Sequence, residues 1–127
     1  MNIYLGTSES EQLLTELNRN FGTKNVEIKE IIETEDGSLY DYIVSKKKEF
    51  VFKFDKILDN NLSVILVEFN KQTTLNLKVE NSPDSGVYNE YSVIFVVEPD
   101  YQLWKELVIE GTKHFIYENC NFSLREK

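Results

Sequence analysis

Lys46-Lys47-Lys48-Glu49-Phe50-Val51-Phe52-Lys53-Phe54 opens on a basic cluster and then places an aromatic residue at every second position. A strand sends alternate residues to opposite faces. Phe50, Phe52 and Phe54 therefore line one side of one strand, while Val51 and Lys53 take the other. An aromatic face of this width has to be covered, so the rest of the chain is expected to supply a sheet and a helix that bury it.

At 127 residues the chain is expected to be one domain. A chain of this size hides roughly two thirds of the surface it exposes when unfolded. Hydrophobic residues at 41% and charged residues at 28% describe a globular protein, not a disordered one. The aromatic share of 13% favours sheet, because Tyr and Phe fit pleated, half-buried surfaces. A net charge of −8 argues against direct nucleic-acid binding and against anionic membrane surfaces. The acids are scattered without a long block, so they read as a solubilising surface in preference to a nucleic-acid mimic. A single cysteine, Cys120, rules out an internal disulfide. Met1 to Leu5 runs into polar residues without the apolar core of a signal peptide, so synthesis in the cytoplasm is expected. No apolar run approaches the ~20 residues of a membrane span.

Along the chain, Asn2 to Leu5 reads as a short strand. Ser8 and Glu11 have the spacing of a capping box, and Leu14, Leu17 and Phe21 follow at helical intervals with Gly22 as a C-cap. This predicts a helix over Glu9–Phe21. Val26 to Thr34 predicts a strand with a bulge near Glu30, because Val26 and Ile28 share a parity that the adjacent Ile31 and Ile32 break. Asp36-Gly37 is a turn signal, and Leu39 to Val44 forms a strand leading into the phenylalanine strand, as the first half of a hairpin. Leu58, Leu62, Ile65, Leu66 and Phe69 predict a helix whose apolar stripe packs on the sheet. Thr73 to Glu80 alternates as a half-buried strand, and Asn81 to Gly86 is a surface loop. Glu90 to Val97 is apolar on both parities and reads as a central strand ended by Pro99-Asp100. Further strands follow, joined by turns at Gly111 and Asn119. The class expected is α+β, mostly antiparallel β: a sandwich or compact barrel of about seven strands with one or two helices packed on it.

Chemistry has few carriers. His114 is the single histidine, which leaves no multi-histidine metal site. Cys120 lies six residues after it and would need to meet it across strands to act as a nucleophile with a base. The five glycines are dispersed and build no phosphate loop or dinucleotide fingerprint. Asp36-Gly37 and Asp84-Ser85-Gly86 are too short and ligand-poor for a calcium loop. No catalytic, cofactor or metal residues are therefore expected. Lys46, Lys47 and Lys48 read as a solvated strand end that protects an edge. Trp104 and the tyrosines Tyr40, Tyr42, Tyr88, Tyr91, Tyr101 and Tyr117 exceed what a small core needs, and such residues are enriched at interfaces. The candidate interface residues are Lys46, Lys47, Lys48, Pro83, Asp84, Tyr88, Tyr101 and Trp104, beside the core strand Phe50, Phe52 and Phe54.

Two separated stretches carry a resemblance. Gly37 to Leu58 holds Gly37, then Ile43, then the basic step Lys46 and Lys48, then Phe50, Phe52 and Phe54. Asn121 to Lys127 holds Phe122, Ser123, Leu124 and Glu126. Together they resemble small structural proteins of tailed bacteriophages and prophages, found among tail and neck genes. Those chains carry a Gly, a hydrophobic-polar strand, a basic step and an alternating aromatic strand, and often close on aromatic-Ser-Leu-x-Glu. The match covers about a quarter of the chain, and the Glu9–Phe21 helix has no counterpart in it. The resemblance implies a non-enzymatic virion component, made in the host cytoplasm, that assembles with copies of itself and with other virion proteins in a tail, neck or baseplate. It implies no catalysis and no catalytic residues; with the charge argument above, no direct nucleic-acid partner and no membrane partner are expected. The alternative is a small acidic interaction module, an inhibitor or adaptor that binds a host protein; an enzyme using carboxylates or Cys120 ranks third.

Overall fold

The computed structural model describes residues 1–7, 10–35, 37 and 39–127; the side chains of residues 28–32 and 39–45 lie outside that description. Among the described residues the chain forms seven strands and one helix: β1 (Ile3–Thr7), β2 (Ser10–Leu14), β3 (Arg19–Glu33), β4 (Leu39–Leu58), α1 (Asp59–Asn70), β5 (Leu75–Glu80), β6 (Tyr88–Ile109) and β7 (Thr112–Glu126). The expected class, mostly antiparallel β with a packed helix, holds. All seven strands belong to one sheet in the order β2-β1-β5-β6-β7-β4-β3, and the sheet is not closed. Every neighbouring pair is antiparallel.

The aromatic row behaves as its parity demands. Phe50, Phe52 and Phe54 are buried, and Lys53 on the opposite face is exposed. On β7, Leu124, Phe122 and Cys120 stand opposite them in the same order. Phe52 and Phe122 stack at 4.8 Å between ring centroids. Ile3 and Leu5 of β1, Leu75 and Leu77 of β5 and Val93 of β6 extend this face across the sheet, and Leu62 and Ile65 of α1 close over it. The helix thus forms where its stripe predicts, because that stripe has a sheet to bury against. Glu68 on the same helix is fully buried and is held by the Lys71 ammonium at 2.8 and 2.9 Å.

The expected helix over Glu9–Phe21 does not form. Ser10–Leu14 is β2, with Leu14 buried opposite Ile3, and Arg19 already begins β3. Between them the chain turns through Asn18 at φ 57°, with the Arg19 N–H donating to the Glu16 carbonyl at 3.2 Å. The helical spacing of Leu14, Leu17 and Phe21 was misleading, because Leu17 stays 62% exposed while Phe21 packs on Phe52 at 4.9 Å. Tertiary pairing with the phenylalanine strand outweighs local spacing. Gly22, expected as a C-cap, sits inside β3 opposite Val51. The proposed N-cap Ser8 lies outside the described residues, as does Asp36 of the Asp36-Gly37 turn.

Leu39–Val44 and the phenylalanine strand are not two arms of one hairpin. They are one continuous strand, β4, and the hairpin partner is β3. The bulge expected near Glu30 falls between Ile28 and Lys29, where the pairing steps from Ser45 to Ile43, so the extra residue is Val44 on β4. Glu90–Val97 does lie in the central strand, but Pro99-Asp100 does not end it. β6 runs on to Ile109 with its pairing shifted between Val97 and Asp100. A proline is tolerated there because a bulge leaves its missing N–H unrequired. Asn119, expected as a turn, is an interruption within β7 at φ 54°. Gly111 does turn the chain: Glu110 and Gly111 at φ 49° and 77° give the two positive values of the tight hairpin turn between β6 and β7.

The loop between β5 and β6 is anchored by one acid. The Glu80 carboxylate accepts the Asn2 N–H at 3.0 Å and the Gly86 N–H at 3.2 Å, while the Glu80 N–H donates to the Asn2 carbonyl at 3.0 Å. The Asn2 bond is the largest influence holding the carboxyl below the ordinary glutamate range, against the opposing effect of burial. A depressed folded pKa means stability that is present above the unfolded pKa and lost as pH falls through the folded one. Wild-type melting temperature is therefore expected to fall more steeply on acidification below the ordinary glutamate range than that of Glu80→Gln. Parallel melting profiles would show that Glu80 is not an acid-sensitive anchor.

Candidate functional site

The sheet has two unlike ends. β5 stops opposite Val93, so from Ile94 onward β6 is an edge paired only with β7; β4 stops opposite Ile116 where α1 begins, and beyond that point β6 and β7 run on as a two-stranded arm. At the other end β7 stops, and β4 continues from Lys48 back to Leu39 paired only with β3 among the described residues. The Asn81–Gly86 loop is at this second end, because it leads into the start of β6. The candidate interface residues divide accordingly.

Tyr101 and Trp104 lie on the free edge of β6, just before the β6–β7 arm begins. Trp104 is 48% exposed, with the Lys56 ammonium 4.6 Å and the Lys105 ammonium 5.3 Å from its ring centre. Lys56 is held there by Glu118 at 3.0 Å. The indole is thus oriented by cations yet open to solvent, the arrangement of an amphipathic anchor. Lys56, Trp104, Leu17 and Ile116 border a cleft of about 210 Å³. Tyr101 meets Tyr117 edge-on at 5.4 Å. Sequence reasoning missed the plainest feature of the β6 edge and its arm: Leu103 and Val108 are 57% and 68% exposed, and Ile109 and Val97 are exposed as well. These side chains are spread along β6, with the neighbours Val108 and Ile109 on opposite faces, so they give the strand an apolar edge and not one compact patch. The signal was the tight turn at Gly111 flanked by charges on both parities, Lys105 and Glu106 on one side and Lys113 on the other, which leaves such a ribbon no dry face.

Lys46, Lys47 and Lys48 lie at the opposite end and line a cleft of about 540 Å³ with Asn25, Glu27 and Glu126. The Lys48 N–H donates to Glu126 Oε1 at 2.8 Å, and its ammonium stands 5.4 Å from the Tyr91 ring centre. A side chain, not a neighbouring strand, thus satisfies the β4 backbone where β7 ends. Pro83 and Asp84 are exposed on the loop at the same end, Asp84 at φ 60°. Tyr88 is half-buried, edge-on to Tyr4 at 5.7 Å, so much of its ring is taken up within the fold. The side chains of Tyr40 and Tyr42 lie outside the described residues.

His114 and Cys120 do not meet. Both are on β7, six residues apart, a span of roughly 20 Å in an extended strand. Cys120 is fully buried, which pushes its thiol up to about 11, with the Asp100 carboxylate adding to the effect. Such a group carries almost no thiolate at neutral pH. His114 Nδ1 instead lies 3.2 Å from Asp59 Oδ1, and Asp59 Oδ2 accepts the Phe115 N–H at 3.2 Å. Burial lifts the Asp59 carboxyl, but the bonds from His114, Phe115 and Asn60 outweigh it and hold the group below its ordinary value. Asp59 opens α1, so this contact fastens the root of the arm to the helix. Among the described residues no group of three or more His, Cys, Asp or Glu is placed to hold a metal ion. No described helix is long and apolar enough to cross a membrane. No protein-family model, curated protein or solved structure matches the chain.

Proposed function

We propose that the chain is a non-enzymatic structural subunit of a tailed bacteriophage, a tail, neck or baseplate component that acts by assembling with copies of itself and with neighbouring virion proteins. The observation that carries this reading is the free edge of β6 and the two-stranded β6–β7 arm that ends it, which together display Leu103, Trp104 and Val108 to solvent. A ribbon of two strands is marginal by itself in water, and partner contact supplies the burial it lacks. The strand edges left unpaired among the described residues at both ends of the sheet offer main-chain donors and acceptors for addition between subunits. The basic step at Lys46 and Lys48 and the aromatic strand Phe50–Phe54, which carry the resemblance to phage structural proteins, support the same reading. The net charge of −8 suits a part beside which DNA passes without adhering.

Light scattering coupled to size exclusion is expected to give a discrete oligomer, or a single chain that is captured by purified phage tail or neck proteins. A single chain that binds none of them would overturn the reading. The acidity also favours a second reading, a small module that binds a basic host protein one to one. A stoichiometric complex with such a protein, in the absence of self-assembly, would favour it.

A further inference from the structure

The geometry points to a head-to-tail contact in which the β6–β7 arm of one copy docks along the Lys46–Lys48 end of β4 in a second copy. The inference rests on the assembly reading above and names its surfaces. The two surfaces are at opposite ends of the same sheet, so a chain cannot satisfy its own arm. Their charges are complementary. The β6 edge and its arm carry Glu98, Asp100, Glu106 and Glu110, all exposed, against Lys105 and Lys113. Three consecutive lysines line the receiving cleft, opposed by Glu27 and Glu126. Their backbones are complementary too. Among the described residues β6 has no β5 partner beyond Val93, and β4 has no β7 partner before Glu49, where the Lys48 N–H is taken by Glu126 and the backbone preceding it is left as an unpaired edge. An added strand would pair through the main chain and place Val108 and its neighbours against the second copy, removing apolar surface from water.

A contact between two different patches is heterologous, so it repeats from copy to copy and gives a ring or a filament depending on the rotation. An isologous dimer would not have this property, and the experiment exploits the difference. One variant carries Lys46→Glu with Lys48→Glu; a second carries Leu103→Asp with Val108→Asp, so that its arm is repelled by the first variant's cleft. All four side chains are solvent-exposed, so thermal melts should match wild type and confirm folding. In sedimentation velocity wild type is expected to form multimers whose size falls as salt rises. Each variant alone should associate roughly tenfold or more weakly. Mixed together, the two should form a complex of two chains that grows no further, because only one functional arm and one functional cleft remain to meet. If wild type assembles and both variants assemble as it does, the docking is overturned while the assembly reading stands. If wild type remains a single chain at every concentration, the docking is overturned, and the assembly reading then rests on capture by other virion proteins.

Discussion

Phe52→Ala is expected to lower the unfolding free energy by about 3–5 kcal/mol, the range for truncating a buried Phe. Phe52 is fully buried at the centre of the aromatic face. It stacks on Phe122 of β7 at 4.8 Å and packs on Phe21 of β3 at 4.9 Å, so its ring joins both neighbours of β4. Strands paired on both sides have little freedom to close a cavity, which places the loss towards the upper part of the range. Lys53→Ala, one residue on and facing water, should change stability by less than about 0.5 kcal/mol. Urea unfolding of the two variants tests the parity directly. A loss below about 1 kcal/mol for Phe52→Ala would mean that the face is not a packed core.

Gly6→Ala is the second large effect, at about 3 kcal/mol, the upper end for forcing added atoms into a filled space. A methyl group on Gly6 would lie 2.1 Å from the Ser10 carbonyl oxygen and 2.8 Å from the Glu11 Cα. Both are backbone atoms and cannot swing aside. Gly6 is opposite Glu11 on β2 and Asn76 on β5, so relief requires β2 to move off the sheet. Leu14, buried at the far end of β2, would be drawn out with it. Gly22→Ala is the control: a methyl group there meets nothing within 4 Å, and stability should be nearly unchanged. Similar denaturation midpoints for the two variants would show that β2 tolerates displacement.

The phenylalanine strand and α1 were legible because each writes its period over several turns or residues. Phe50, Phe52 and Phe54 alternate, Leu58 to Phe69 repeats at helical spacing, and each element buries the face that its period selects. The β3 bulge was legible as a break in parity but misplaced, because the extra residue is on the partner strand. Ser10–Phe21 was misread because three apolar residues at helical spacing are also compatible with a strand, a turn and a second strand. Only the phenylalanine strand, whose Phe54 and Phe52 stand across from Arg19 and Phe21, decides between them. The continuation of β6 through Pro99 was hidden for a related reason, since whether a proline ends a strand depends on the partner's hydrogen bonds. Among the candidate interface residues, the exposure of Trp104 and the partial burial of Tyr88 differ because Lys56 and Tyr4 approach them from distant parts of the chain, which no local spacing encodes.

The strand order has a consequence for how the molecule reaches its native state. Four of the six pairings join strands adjacent in sequence, and two do not: β1 with β5, and β4 with β7. Phe52 and Phe122 therefore find each other across a separation of 70 residues. Hairpins can close early, within roughly 1–10 μs, yet none of them buries the aromatic row alone. Cooperative collapse waits on the distant encounter of β4 with β7, which puts folding in the slow, millisecond-to-second regime of non-local sheets. Until that encounter, three phenylalanines on one hairpin stand open to water, and crowding during synthesis would punish any further delay.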